Sequence, residues 1–195
     1  MGNYKFNVVD NNVTGEDLHD VNVEDTNLAG VTFKRCTFNN IVFSNVNLKG
    51  AKFVQCKFNG VIFRVCDMAD LNVNIVDIKN VQLSKCTLKG AKLVALGGGE
   101  LKAYNSDLDF IHALHCDLSY IEFHQCKIRR GLSQLSKIRL GAFKETNLSF
   151  STLYLSEFSQ IEIINCIINN LDASTSIVDW RLTGNNKQLN VRVNK

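Results

Sequence analysis

Residues 26–70 read, in blocks of five, TNLAG VTFKR CTFNN IVFSN VNLKG AKFVQ CKFNG VIFRV CDMAD. The third residue of every block is large and apolar: Leu28, Phe33, Phe38, Phe43, Leu48, Phe53, Phe58, Phe63 and Met68. The first is small or medium and, after Thr26, apolar: Val31, Cys36, Ile41, Val46, Ala51, Cys56, Val61 and Cys66. An amphipathic helix repeats its apolar positions at three and four residues and a half-buried strand at two, so neither accounts for a period of five. A fixed period over this length marks a repeat architecture.

The frame extends both ways. Leu18 and Val23 precede it, and Val73, Ile78, Leu83, Leu88 and Leu93 follow. It lapses in the run VALGGGE at 94–100, then returns in the same register at Leu108, Leu118, Phe123, Ile128, Ile138, Phe143, Leu148, Leu153, Phe158, Ile163, Ile168 and Val178. Weak centres fall at Gly98, Ala103, Ala113, Ser133 and Ala173.

Stretches such as Thr26-Asn27-Leu28, Cys66-Asp67-Met68, Cys116-Asp117-Leu118 and Thr146-Asn147-Leu148 resemble the Ala-(Asp/Asn)-Leu-X-X unit of the pentapeptide-repeat family, with Cys and Val in place of much of the Ala. The resemblance covers residues 14–178 and implies an all-β fold, a right-handed quadrilateral parallel β-helix in which four units make one coil. About eight coils spaced by roughly 4.8 Å then form a rod on the order of 40 Å long. Residues twenty apart stack, and similar sizes meet, as in Phe43 on Phe63 and Leu28 on Leu48. Gly15, Gly30, Gly50, Gly60 and Gly90 stand where corners need positive φ. Proline, which would remove an inter-coil donor, is absent. The expected organisation is one domain over 1–195: an N-terminal cap at 1–13, repeats at 14–178 with irregular segments near 94–103 and 131–141, and a C-terminal cap at 179–195 in which Trp180 and Leu182 cover the last coil. A glycine run supplies no inward side chains, so 94–103 is expected to break the regular wall.

The 195 residues carry a net charge of +3 and 45% hydrophobic residues, with mean hydropathy −0.04. No apolar run approaches the roughly 18 residues of a spanning helix, so no membrane partner is expected. The charge is too mild to imply nucleic acid as a partner. The opening MGNYKFNVVDNN lacks the basic and apolar blocks of a signal peptide, giving a cytoplasmic expectation. All seven cysteines occupy the small position two before a centre, which reads as buried free thiols. The nearest metal-like cluster is His112, His115 and Cys116 with His124 and Cys126. The frame turns its cysteines inward and its histidines outward, so no metal site is expected. Catalytic motifs are missing, and Gly97–Gly99 lacks the Lys-Ser/Thr pair of a phosphate loop, so neither an enzyme nor a cofactor is expected. An interior filled by side chains leaves no pocket in this reading.

Function is then sought on the outside. The wall with centres Phe33, Phe53, Val73 and Leu93 projects Lys34, Arg35, Lys52 and Lys92 together with Val54, Ile75, Val94, Leu114, Leu135, Tyr154 and Leu155, an apolar and basic strip suited to a protein contact. The alternative is that the irregular segments fold over that wall and bury it. The wall through Leu18 and Leu118 carries Asp17, Asp20, Asp77, Asp117 and Glu157, interrupted by Lys57, Lys79, Lys137 and Arg139. The first functional reading is a non-enzymatic binding module that presents rigid walls to a protein partner. The resemblance adds two others: a DNA-mimicking factor that protects or inhibits DNA gyrase or another topoisomerase and is linked to quinolone resistance, and a secreted bacterial effector. It also implies either a monomer or a homodimer joined at the C-terminal end.

Overall fold

The structure, a computed structural model, describes residues 3–194. These residues contain strands and turns and no helix. The strands pair in parallel with partners twenty residues away, as in Thr32–Lys34 with Lys52–Val54, Thr37–Asn39 with Lys57–Asn59, and Val42–Ser44 with Ile62–Arg64. This makes a four-sided parallel β-helix of about nine coils rather than eight. Each wall is named here by its second-coil centre: the Phe33, Phe38, Phe43 and Leu48 walls.

Three walls pair through strands, while the Leu48 wall pairs through single bridges such as Asn27 to Asn47 and Asn47 to Asp67. Its centres close tight turns, with the Ala51 N–H donating to the Leu48 carbonyl at 2.9 Å and Ala91 to Leu88 at 2.9 Å. Where Asn or Asp precedes the centre, it shapes that turn. The side-chain oxygens of Asn47, Asp67, Asp107 and Asn147 each accept the N–H two residues on, at 3.0 Å. The Asp/Asn of the repeat unit is therefore a turn device on this wall.

The inward residues form one continuous core. Phe33 stacks on Phe53 at 4.8 Å and Phe43 on Phe63 at 4.9 Å, both nearly parallel, while Phe58 meets Phe38 and Phe53 edge-on at 5.1 and 5.0 Å. At the N-terminal end Phe6 lies over Phe33 at 5.1 Å, edge-to-face, with Tyr4 packed edge-on against it.

All seven cysteines are buried free thiols. They are more than small hydrophobes, because each Sγ donates to a carbonyl of the preceding coil. Cys56 reaches Phe33 O at 3.4 Å, Cys126 reaches Ala103 O at 3.4 Å, and Cys166 reaches Phe143 O at 3.2 Å. Ser and Thr at the same position do likewise: Ser151 Oγ donates to Ile128 O at 2.6 Å and Thr146 Oγ1 to Phe123 O at 3.2 Å. Cys is therefore favoured over Ala because it fills the site and adds a donor. Burial pushes the thiols of Cys116, Cys126 and Cys166 up, which keeps them protonated as donors.

Both segments expected to be irregular are regular. Lys92–Tyr104 is a single strand in which Gly97 and Gly98 pair with Asp77 and Ile78 on one side and with Asp117 and Leu118 on the other. Leu132–Gln134 and Lys137–Ile138 pair in the same twenty-residue register. The correction has a simple cause: coil pairing is made by backbone groups, so a chain held between two coils needs no inward side chains to stay in line. Gly98 goes further and requires their absence. Its φ is +117°, and a Cβ there would lie 2.3 Å from the Ile78 carbonyl oxygen.

The expected C-terminal cap is also coil. Trp180 and Leu182 pair with Ile161 and Ile163, and Arg192–Val193 pairs with Asp172–Ala173. The step between Phe158 and Ile161 shifts register, so that partners there are nineteen apart. Beyond Gly184, at φ +70°, Ile167 pairs with Lys187 and the twenty-residue step is restored.

Two substitutions test this packing. Phe58→Ala is expected to cost about 3–5 kcal/mol in urea unfolding. Gly98→Ala, apparently mild, is expected to cost at least about 1–3 kcal/mol through backbone strain and the carbonyl clash. A neutral result at Gly98 would show that the strand is not clamped between its neighbours.

Candidate protein-contact surface

The corner residue, two after each centre, takes left-handed backbone almost everywhere along the rod. Asn, Asp and Gly bear that conformation at little cost, and they fill many corners, among them Asn40, Asn45, Asn80 and Asn165. Six corners instead hold bulky apolar residues in the same backbone: Val65, Ile75, Phe110, Leu135, Phe150 and Leu155, with φ from 47° to 63°. All six are exposed. Each costs twice, in backbone strain and in apolar surface left in water.

Five of the six flank one wall. Phe110 and Phe150 line the edge between the Leu48 and Phe33 walls, while Ile75, Leu135 and Leu155 line the edge between the Phe33 and Phe38 walls. Between these rims Tyr154 is exposed, and Val54, Val94, Leu114 and Leu132 are half-buried. The basic residues Lys34, Arg35, Lys52 and Lys92 are exposed on the same wall. The strip is therefore divided along its length, with basic residues mainly on the early coils and apolar ones mainly on the later coils. The 94–103 and 131–141 segments lie within the coils and do not cover it.

Phe110, Phe150 and Arg130 escape a reading that groups residues by wall, because they belong to the corner of the neighbouring one. Their signal is a bulky side chain at a position that holds glycine in Gly30, Gly50 and Gly90. The Arg130 guanidinium carbon lies 5.6 Å from the Phe110 ring centroid and Lys89 Nζ lies 5.7 Å from it, which joins positive charge to the aromatic rim. Beside this corner the buried Asp109 carboxylate accepts from Arg129 N at 2.8 Å and Arg129 Nε at 2.9 Å. Burial pushes that carboxyl up, but the Arg129 hydrogen bonds outweigh it and hold the group below its usual range. On the wall itself His112 Nε2 and Gln134 Oε1 are 2.9 Å apart.

The acidic wall is partly neutralised. Asp17 pairs with His19 at 3.0 Å, Glu157 with Lys137 at 3.6 Å, and Asp117 with Arg139, whose hydrogen bonds hold the Asp117 carboxyl low. Asp20 accepts from Asn40 Nδ2 at 2.9 Å. Asp77 is exposed on the same wall. The His112, His115 and His124 side chains lie outside the rod while Cys116 and Cys126 lie inside it. No group of three or more potential metal ligands converges among the described residues.

Residues 16–93 match the family model described as the pentapeptide repeat region. No curated protein matches the chain. Among solved structures it is similar to HetL, a pentapeptide repeat protein involved in heterocyst differentiation regulation from the cyanobacterium Nostoc sp. strain PCC 7120, at 13% identity over 92% of this chain and 87% of that one, with a TM-score of 0.45. A trypsin-treated form of QnrB1, a plasmid-mediated fluoroquinolone resistance protein, is 15% identical over 94% of this chain and 90% of its own, with a TM-score of 0.42. Rfr23, a pentapeptide repeat protein from the cyanobacterium Cyanothece 51142, is 11% identical over 88% and 93%, with a TM-score of 0.21. Residues 16–93 are thus similar to the pentapeptide repeat region, and the twenty-residue parallel pairing of that stretch continues in this chain as far as Arg192–Val193.

Proposed function

We infer that the chain is a non-enzymatic binding module that presents the Phe33 wall of its later coils to a protein partner. The observation carrying this reading is the set of exposed apolar residues held in left-handed backbone along both edges of that wall. Such residues add nothing to the core and oppose folding locally, so their presence is accounted for by what they touch. The exposed Lys34, Arg35, Lys52 and Lys92 favour a partner with an acidic margin, which they would help to steer more than to hold.

The acidic wall supports the competing reading, topoisomerase protection by imitation of DNA, less well. A DNA imitator needs a field of uncompensated negative charge. Here Asp117 and Glu157 are each matched by a cationic neighbour.

The combined variant Leu135→Asn, Phe150→Asn and Leu155→Asn separates binding from folding. Asn suits left-handed backbone, so its melting temperature should be unchanged or about 2–4 °C higher for each kcal/mol of strain relieved. A photo-crosslinking residue at Tyr154 should capture a discrete protein in cells, and the triple variant should lose that adduct. The same probe at Arg64, on the opposite wall, should capture none. Equal capture from Arg64, or an adduct that survives the triple variant, defeats the assignment.

A gyrase supercoiling assay with and without a quinolone tests the competing reading. The expected result is no protection. Protection that persists in the triple variant and disappears on replacing Asp77, Asp117 and Glu157 by Lys would move the function to the acidic wall.

A further inference from the structure

The interior of the rod is unevenly filled. In the second and third coils six phenylalanines stack or cross within about 5 to 6 Å of one another. Further along, the centres shrink to Ala113 and Ser133, with Gly131 at the small position preceding Ser133. An apolar cavity of about 170 Å³ results, bordered by residues between Phe58 and Trp180. Its clearest markers are Ala113, Phe123, Ser133 and Leu153, which occupy inward centres yet are only partly buried because they face open space inside the rod. The sequence expectation of a filled interior fails at this point.

The polar groups in the lining are already engaged. Ser133 Oγ lies 3.4 Å from Ser156 Oγ, Ser136 Oγ donates to Gln134 O at 2.9 Å, and Ser151 Oγ donates to Ile128 O at 2.6 Å. Water inside a protein needs about two to four polar partners, and this lining offers no unpaired set to hold it. A nonpolar molecule needs none and gains dispersion contacts with the surrounding Leu, Ile and Phe side chains. Size sets the remaining limit: an apolar cavity of about 150 Å³ is sufficient for benzene or xenon.

We propose that the hollow section of the lumen is a binding site for small nonpolar molecules, such as xenon, a short alkane or a single aromatic ring. Its selectivity rests on volume and the absence of charge. The site lies beneath the later coils of the Phe33 wall but does not depend on that wall binding a protein.

The test uses the full chain with methyl-labelled Ala, Leu and Ile under xenon pressure, and thermal unfolding in benzene-saturated buffer. Xenon should shift the Ala113, Leu93 and Leu153 methyl resonances while leaving the exposed Ile75 and Leu155 methyls in place. Benzene should raise the melting temperature by about 2–4 °C for each kcal/mol of binding free energy realised. Ala113→Leu and Ser133→Leu, which fill the space, should each abolish the benzene effect, whereas Leu155→Asn should keep it.

Larger shifts at Ile75 and Leu155 than at Ala113 and Leu153 would overturn the proposal, because the guest would then sit on the outer patch. No shift at the inner methyls would also overturn it. The methyl readout on the unaltered chain decides the matter even where a filled variant does not fold.

Discussion

Everything in this molecule depends on the backbone hydrogen bond between a residue and the coil twenty positions away. Thr32 N to Asn11 O at 2.8 Å, Lys52 N to Val31 O at 2.9 Å, Asn72 N to Ala51 O at 2.9 Å and Lys92 N to Leu71 O at 2.8 Å are the same bond repeated along one wall. It fixes which residues stack, and stacking fixes which sizes can be inward neighbours. Parallel strands of three residues have little stability alone, so each is held by coils above and below it. Proline is excluded for the same reason, since nearly every N–H in a wall has work in the next coil.

The five-residue period made the fold readable because it is a property of side chains that all answer to one constraint. The inward centres, the burial of the cysteines and the glycine corners follow from it directly. Departures from the sequence reading occurred where backbone pairing acts without side chains. Gly97 and Gly98 carry no inward bulk, yet Asp77, Ile78, Asp117 and Leu118 hold them as strand. Trp180 looks like a lid by composition, but its pairing with Ile161 places it in another coil. The cysteines were legible as buried and not as donors, because hydrogen bonding across twenty-three residues is visible only when the coil is closed.

The candidate surface was legible in part. Tyr154, Leu135, Leu155 and Ile75 stand out from sequence because one wall places them together. Phe110 and Phe150 join the same surface from the neighbouring wall's corner, and a wall-by-wall reading separates what an edge brings together. Charge was harder to read. The Asp117 and Glu157 carboxylates form a row in sequence, but Arg139 and Lys137 on the next coil answer them in space. Counting acids along a wall therefore overstates its field, since the cations that pair with Asp117 and Glu157 lie about twenty residues away.

The register slip at the last full coil shows how the architecture handles length errors. Between Phe158 and Ile161 the partner chain is one residue short, and near Gly184 it is one residue long. Ile167 then meets Lys187 as if neither change had occurred. The compensating residue lies at the Gly184 corner, where left-handed backbone turns the chain between the flat sides it joins. The helix thus has no memory of an error beyond the coil that contains it.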